Sequence, residues 1–151
     1  MDLGLKGKVT IVSAASAGIG KAVAVEMAKE GSDVSICARG KEDLEKAAEE
    51  VRKHGVRVVA VQADVTKADD VQRVIEETVQ AFDRVDVLVN NAGEAWMGHG
   101  VDTTDGEWED AMEVNVYSAV RFTRGVVPYM RKQGGGRIIN IASVSGHTMI
   151  G

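Results

Sequence analysis

The sequence is poor in several features, and each shortage excludes a class of protein. Its 151 residues include a single cysteine, Cys37, so no disulfide can form within the chain, and a reducing compartment is favoured. The opening residues MDLGLKGK lack the apolar stretch of a signal peptide. No apolar run approaches the roughly 18 residues that a membrane-spanning helix needs. We therefore expect a soluble, cytoplasmic protein.

Basic residues are also scarce relative to acidic ones. The 18 lysines and arginines against 23 acidic residues give a formal net charge of −5, so the chain offers no basic face to a nucleic-acid backbone. Apolar residues make up 44%, which is ordinary for a globular protein and too many for a disordered one. No low-complexity linker or charge run divides the chain, so we expect residues 1–151 to form one domain.

Short apolar runs alternate with segments of helical period from one end of the chain to the other. The predicted strands are 9–13, 33–38, 56–62, 85–89 and 137–142. The predicted helices are 19–30, 42–54, 67–82 and a long fourth helix at 104–131. The strands are rich in valine and isoleucine and mostly continuous, which is typical of a parallel sheet covered on both faces. The alternation predicts a doubly wound α/β sheet that ends after the fifth strand.

Particular residues predict where the helices begin and end. Thr66 is a suitable N-cap for the third helix, and Thr104 with Glu107 forms a capping-box pair at the start of the fourth. Pro128 is expected to kink or end the fourth helix, because proline has no N–H to donate.

A glycine-rich turn, SAASAGIG at residues 13–20, directly follows the first predicted strand and leads into a helix. Such a turn presents backbone N–H groups and the positive end of a helix dipole to an anion. Gly18 and Gly20 would let the backbone approach a pyrophosphate and let the helix pack on the strand. The alternative is a plain tight connection. The candidate contacts in this turn are Ser13, Ser16, Gly18, Ile19 and Gly20.

Three further motifs follow later strands: Asp64-Val65 after the third, Asn90-Asn91-Ala92-Gly93 after the fourth, and Asn140-Ile141-Ala142-Ser143 closing the fifth. Together with the glycine-rich turn, they resemble the short-chain dehydrogenase/reductase family, in particular its 3-oxoacyl-carrier-protein reductases and its sugar and alcohol dehydrogenases. The resemblance covers the whole chain. It implies a Rossmann-like fold, a nicotinamide cofactor, a small carbonyl or alcohol substrate, and a homo-oligomer with the fourth helix at its interface.

One position departs from the family pattern. Relatives usually have a glycine early in the turn, where this chain has Ala14. If the position requires a left-handed conformation, alanine costs roughly 1–2 kcal/mol there.

The end of the second strand indicates which nicotinamide cofactor is bound. Sites for NAD normally hold the ribose hydroxyls with a carboxylate there, but this chain reads Cys37-Ala38-Arg39-Gly40, with no acid before Glu42. Arg39 would attract the 2′-phosphate of NADP(H) with a fork of donors, so NADP(H) is favoured over NAD(H). The alternative is that Arg39 is a solvated loop residue. Ala17 stands where NADP-preferring relatives often have a second basic group, so the preference is expected to be modest.

The resemblance also implies contacts to the adenosine. The Asp64 side chain would accept from the adenine amino group, and the Val65 amide would contact the ring. The alternative for Asp64 is that it only ends a strand. Asn90, Ala92 and Gly93 would support the adenosine ribose and the central strand, partly as structure.

At the reacting centre, the resemblance implies that Ser143 polarises the carbonyl oxygen and that Asn115 anchors a water in a proton relay. The alternative for Asn115 is an exposed or locally satisfied amide. The family's Tyr-x-x-x-Lys pair is absent from the 151 residues, because Tyr117 is followed four residues later by Arg121 and Tyr129 by Gln133. Arginine cannot replace the lysine, since it stays protonated.

Three functional hypotheses follow. The first is an NADP(H)-dependent reductase or alcohol dehydrogenase of which this is the N-terminal part. The second is a nucleotide-binding module that lacks the Tyr-x-x-x-Lys pair and catalyses nothing. The third is an interaction protein that uses the fifth strand and the fourth helix.

The loop 94–101 either lines the substrate pocket, through Trp96 and Met97, or is merely exposed. The scattered histidines predict no metal site.

Overall fold

The computed structural model describes residues 3–95 and 101–144, and strands and helices alternate through them. The strands are β1 (Val9–Val12), β2 (Asp33–Ala38), β3 (Val58–Gln62), β4 (Val87–Asn90) and β5 (Arg137–Asn140). The helices are α1 (Gly18–Lys29), α2 (Lys41–Arg52), α3 (Ala68–Phe82), α4 (Asp105–Met112) and α5 (Ser118–Lys132), with a π-helical turn (Glu113–Tyr117) between α4 and α5.

All strand pairs are parallel, and the sheet has the order β3-β2-β1-β4-β5. Neighbouring residues of a strand face opposite sides, so Val12 packs with α1 and α2 while Ile11 packs with α3 and α5. Both residues are fully buried. The apolar strands therefore have helices on each face, and the predicted doubly wound sheet is confirmed.

Strand β5 forms one edge of this sheet and is exposed along its whole length. Ile138 and Ile139, which point to opposite faces, are 37% and 41% exposed. The fifth strand is therefore an exposed apolar edge of the sheet. Such an edge leaves backbone groups and apolar side chains available to another strand or chain.

The predicted fourth helix is interrupted, though not where the proline predicts. The π-helical turn Glu113–Tyr117 separates α4 from α5, whereas Pro128 lies inside α5, which continues to Lys132. Of the two effects predicted for Pro128, an end to the helix is wrong, because four further residues keep helical geometry beyond it. A kink at Pro128 stays a prediction. At the start of α4, both hydrogen bonds of the Thr104–Glu107 capping box are present, as predicted.

The cap predicted for α3 is not formed. Lys67 is the N-cap residue and makes no side-chain capping bond, whereas Thr66 hydrogen-bonds to Asp64 instead. A threonine hydroxyl next to a helix start can satisfy an upstream carboxylate as easily as a helix N–H, and here the carboxylate is closer in the turn.

The structure bears on membrane spans, on metal sites and on the single cysteine. Within residues 3–95 and 101–144, no helix is long and apolar enough to cross a membrane. The same residues contain no cluster of three or more histidine, cysteine or acidic side chains that would hold a metal ion. Cys37 is fully buried in β2, and this burial raises the pKa of its thiol from 9.0 to about 11. Because the thiolate is the reactive form, Cys37 is not a nucleophile near neutral pH.

Candidate functional site

The glycine-rich turn leads from β1 into a helix whose first N–H groups have no side-chain cap. Its N-cap residue, Ala17, is extended, and α1 has no acidic residue in its first turn. Helices α2, α3 and α4 each have two such acids. The first N–H groups of a helix have no partner within the helix and carry partial positive charge. The start of α1 is therefore suited to an external anion.

The two glycines of this turn have different physical roles. Gly18 has a φ of +56°, and a Cβ added there would meet nothing within 4 Å, so its surroundings are open. A Cβ added to Gly20 would lie 2.6 Å from the carbonyl oxygen of Ala14 and would also strike the side-chain amide of Asn91. Gly18 thus allows the left-handed backbone that the turn needs and leaves open space beside it. Gly20 allows α1 to pack closely against the turn.

Ala14 adopts the left-handed backbone conformation for which the sequence analysis expected an energetic cost. Its φ is +52°, in the left-handed region that favours glycine. The expected cost of roughly 1–2 kcal/mol therefore applies to this chain.

Ser13 and Asn91 fasten the turn to the end of β4. The buried Ser13 hydroxyl accepts the N–H groups of Asn91 and Ala92 at 3.0 and 3.1 Å. The Asn91 side chain donates to the carbonyl oxygens of Ser13 and Ala14, both at 3.1 Å. Sequence reasoning did not select Asn91, although its place within Asn-Asn-Ala-Gly was a signal. These bonds hold the turn in place, and Ser13's predicted contact with a nucleotide stays a prediction.

The other candidates of this edge differ in exposure. Ser16 and Ala92 are half-buried, whereas Ile19 and Gly93 are exposed. Ile19 is 63% exposed although it is a large apolar residue in the first turn of α1. An exposed isoleucine beside open helix N–H groups gives a bound molecule an apolar surface to contact.

Arg39, Asp64 and Asn115 line one cleft of about 540 Å³ at the carboxyl ends of the strands. Arg39 is exposed, and its guanidinium forms no hydrogen bond or salt bridge with the residues that the structure describes. The cleft is also lined by Thr66, Lys67, Glu94, Asp110, Ala111, Glu113 and Val114. The structure thus brings together residues that the sequence places up to 76 positions apart (115 − 39).

Asp64 begins a tight loop in this cleft. Its Oδ1 accepts the backbone N–H of Thr66 at 3.0 Å and the Thr66 hydroxyl at 2.8 Å. The hydrogen bond from the Thr66 N–H is the main reason that the pKa of Asp64 lies below its ordinary value, and the positive charge of Arg39 lowers it further. Asp64 is therefore a carboxylate at neutral pH. Val65, between them, is half-buried.

Asn115 lies in the π-helical turn, and its amide is satisfied by backbone groups. Its Nδ2 donates to the carbonyl oxygens of Glu94 and Ala111 at 3.1 and 3.0 Å, and its Oδ1 accepts the Glu94 N–H at 3.0 Å. The alternative of an exposed, locally satisfied asparagine is the arrangement found. Asn115 joins the loop after β4 to the π-helical turn, and its role in a proton relay stays a prediction.

Asn90 and Ser143 lie at the ends of neighbouring strands. Asn90 is buried, and its Nδ2 donates to Oδ1 of Asn140 at 2.8 Å, which links β4 to β5. The Asn90 carbonyl also accepts the N–H of Ile141 at 2.9 Å. Ser143 follows β5 by three residues and is exposed. Asn90 therefore has a structural contact, and Ser143 is at the same sheet edge as the cleft.

The two tyrosines lie in the helical region, as predicted. Tyr117 is in the π-helical turn with the Arg121 guanidinium 5.8 Å from its ring centre, and Tyr129 packs against the core beneath α5. Trp96 and Met97, the pocket candidates of the loop 94–101, lie outside the described residues.

Comparison with known proteins agrees with this geometry. A sequence profile of the family described as short chain dehydrogenase matches residues 8–150. The chain is 40% identical over 146 residues to the uncharacterized oxidoreductase YvrD of Bacillus subtilis, covering 97% of this chain and 55% of that protein. It is 38% identical to the 3-oxoacyl-[acyl-carrier-protein] reductase FabG of Staphylococcus epidermidis, covering 92% of this chain and 57% of that protein.

Solved structures give the same result. L-sorbose reductase from Gluconobacter frateurii, complexed with NADPH and L-sorbose, matches with a TM-score of 0.93 and 41% identity, covering 95% of this chain and 55% of that one. NAD⁺-bound xylitol dehydrogenase matches with a TM-score of 0.88 and 32% identity, covering 96% and 56%. The chain thus spans about half the length of the relatives that it matches. Since the family profile covers nearly all its residues, the chain belongs to the short-chain dehydrogenase family.

Proposed function

We propose that this chain is the nucleotide-binding half of a short-chain dehydrogenase and that it binds NADP(H) in preference to NAD(H). The observation that carries the proposal is the uncapped start of α1 beside the open space at Gly18. A diphosphate fits there, because a helix start provides both N–H donors and positive potential. The adenosine would then lie along the cleft, with its adenine at Asp64 and Val65.

Arg39 supports the preference for the phosphorylated cofactor. Its guanidinium has no partner among the described residues, and it lies at the end of β2 in the same cleft as Asp64. The names of the relatives include both an NADPH complex and an NAD⁺ complex, so family membership leaves the choice open. An arginine fork binds a phosphate with two charge-assisted hydrogen bonds, which a ribose hydroxyl cannot match.

The activity that we propose for the protein containing this chain is oxidoreduction of a small carbonyl or alcohol. The nicotinamide cofactor supplies or accepts the hydride. Ser143 donates its hydroxyl hydrogen to the substrate's carbonyl oxygen, which stabilises the negative charge that develops there. Both Nδ2 hydrogens of Asn115 already bond to carbonyl oxygens, so Asn115 would hold a relay water through the second acceptor position of its Oδ1. The group that gives the alkoxide its proton is not assigned within these 151 residues. Relatives act by name on a 3-oxoacyl thioester or on L-sorbose, and both substrates present a ketone.

A second function is a nucleotide-binding module without catalysis. The observation that favours it is the lack of a Tyr-x-x-x-Lys pair in these 151 residues, since Tyr117 and Tyr129 are followed four residues later by Arg121 and Gln133. Binding without turnover distinguishes this module from an enzyme.

Replacing Arg39 with alanine is expected to remove most of the preference for NADPH over NADH. Loss of a charge-assisted contact to the 2′-phosphate weakens NADPH binding about tenfold and leaves NADH binding unchanged. Titration of the 151-residue chain with each cofactor, followed by nucleotide fluorescence, measures the two affinities. Lys53→Ala removes another exposed cation, at the far end of α2, and serves as the control. An unchanged affinity ratio in Arg39→Ala contradicts the role given to Arg39.

We also propose that the helical region α4–α5 is a contact face between two copies of the chain. Four large apolar residues there are each more than a third exposed: Trp108, Val116, Tyr117 and Val120. An exposed apolar group of this kind on one helical region is typical of a protein–protein interface.

Val120→Glu is expected to convert an oligomer of this chain into monomers, because it places a charge within that face. Light scattering measures the molar mass in solution. Ile139→Glu is the comparison variant, since strand β5 is also an exposed apolar surface. If Ile139→Glu dissociates the oligomer and Val120→Glu does not, the interface is the β5 edge and the proposal is wrong.

A further inference from the structure

Helix α3 makes hydrogen bonds to the backbone of the adenine-binding loop proposed above. The Asp70 carboxylate accepts the Asp64 N–H through Oδ2 at 2.8 Å and one guanidinium nitrogen of Arg73 through Oδ1 at 2.6 Å. The hydrogen bond from the Asp64 N–H is the largest cause that holds the pKa of Asp70 below its ordinary value. Asp70 is therefore an ionised acceptor fixed by two donors.

A second branch connects α3 to Arg39. The same Arg73 nitrogen donates to the carbonyl oxygen of Gln62 at 2.9 Å. The Gln62 side chain in turn donates through Nε2 to the carbonyl oxygen of Arg39, also at 2.9 Å. Gln62 pairs with Ala38 in the β2–β3 register, so its side chain reaches the first residue after β2. The neighbours of Arg39 are held by backbone bonds, from the Ala63 N–H to the Ala38 carbonyl and from the Leu44 N–H to the Gly40 carbonyl. Gln62 is the side chain that holds the Arg39 carbonyl itself, which makes no other hydrogen bond within the described part of the chain.

These bonds are poorly explained as stabilising surface interactions. The side chains of Asp70 and Arg73 are 30% and 43% exposed, and exposed ion pairs three residues apart on a helix add little stability. Each of the three side chains nevertheless bonds to a backbone group at the end of a strand, and those strand ends hold Arg39 and Asp64. We therefore interpret these bonds as holding Arg39 and Asp64 in position rather than as stabilising α3.

We propose that Gln62, Asp70 and Arg73 are positioning residues for the adenosine end of the cofactor. Asp70 fixes the loop that begins at Asp64, and Gln62, held by Arg73, fixes the backbone from which Arg39 reaches the 2′-phosphate. This inference rests on the proposed function, because it assumes that Arg39 and Asp64 contact a nucleotide.

Two ligands that differ only in the 2′-phosphate test the two sets of hydrogen bonds separately: the bonds of Gln62 and Arg73 near Arg39, and the bond from the Asp64 N–H to Asp70. The 151-residue chain and its variants are titrated by calorimetry with adenosine 5′-monophosphate and adenosine 2′,5′-bisphosphate. Gln62→Ala is expected to reduce the preference for the bisphosphate about fivefold, the effect of one lost hydrogen bond, while binding of the monophosphate stays as in the wild type. Arg73→Ala is expected to reduce the preference as well and also to weaken the monophosphate, because Arg73 is one of the two donors to Asp70. Asp70→Ala is expected to weaken both ligands, because it releases the adenine loop.

Matched controls come from the same helix. Asp69→Ala removes the neighbouring acid in the first turn of α3 and is expected to bind like the wild type, as is Gln80→Ala near the end of that helix. Asp70→Asn keeps an acceptor oxygen for the Asp64 N–H and is expected to restore most of the affinity for the monophosphate.

Two results have separate meanings. If the wild-type chain prefers the bisphosphate but Gln62→Ala keeps that preference and Asp70→Ala binds like Asp69→Ala, the positioning role is overturned while the nucleotide site stands. If the wild-type chain binds neither ligand, the proposed nucleotide site is wrong, and the positioning role is overturned with it. The inference is supported if Gln62→Ala loses the preference for the bisphosphate without weaker binding of the monophosphate, and if Asp70→Ala weakens both ligands. General destabilisation of the chain would not separate the two ligands in this way.

Discussion

Replacing Gly20 with alanine is expected to lower the free energy of unfolding by about 2 kcal/mol and to abolish nucleotide binding. The added methyl group would lie 2.6 Å from the carbonyl oxygen of Ala14 and 3.1 Å from the Cα of Ala15, and both are backbone atoms that cannot turn aside. It would also displace the Asn91 amide, which holds the carbonyls of Ser13 and Ala14. Chemical denaturation and NADPH titration of the variant measure the two effects.

Gly106 provides the matched control. It also lies in the first turns of a helix, α4, but a Cβ added there meets nothing within 4 Å. Gly106→Ala is expected to leave binding unchanged and to raise the free energy of unfolding by up to about 1 kcal/mol, since alanine is the better helix former. If Gly20→Ala is as stable as Gly106→Ala and binds NADPH normally, the close packing of α1 on the turn is not required.

The purified 151-residue chain is expected to bind NADPH but to show no measurable reductase turnover. Without the tyrosine and lysine, no group in the chain is assigned to protonate the alkoxide as the hydride arrives. The absorbance of NADPH, followed with L-sorbose or a 3-oxoacyl thioester as substrate, measures turnover. Appreciable turnover from this chain, removed by Ser143→Ala, would contradict the expectation.

A fusion tests whether the half-site is functional. Joining the chain to the remaining part of L-sorbose reductase from Gluconobacter frateurii is expected to give NADPH-dependent reduction of L-sorbose, because the two folds match closely over the shared part. Ser143→Ala in the fusion is expected to reduce kcat about 10²–10³-fold, the usual cost of one lost donor to a developing oxyanion. A fusion that folds and binds NADPH but has the same kcat with and without Ser143 would exclude Ser143 from the reaction.

Much of the fold was predictable because its signals are local. Continuous runs of valine and isoleucine predicted the buried parallel strands, and the five strands observed lie within one or two residues of the predicted ends. The Thr104–Glu107 capping box could be predicted because its partners are three residues apart. The π-helical turn Glu113–Tyr117 could not, since its five residues continue the helical pattern of the sequence, and the bond from Asn115 to Glu94 joins residues 21 positions apart.

For the site, the sequence by itself determined the residue types and the edge at which they gather. A glycine-rich turn after β1, an arginine without an acid after β2 and an aspartate after β3 must meet at the carboxyl edge of a parallel sheet. The hydrogen bonds that hold these residues in place could be seen only in the folded chain. Ser13 bonds to the end of β4, Gly20 makes room for Asn91, and Gln62 reaches Arg39. The reason is physical: these contacts join segments 23 to 79 residues apart, and their geometry is set by strand register and helix packing rather than by any local preference of the chain.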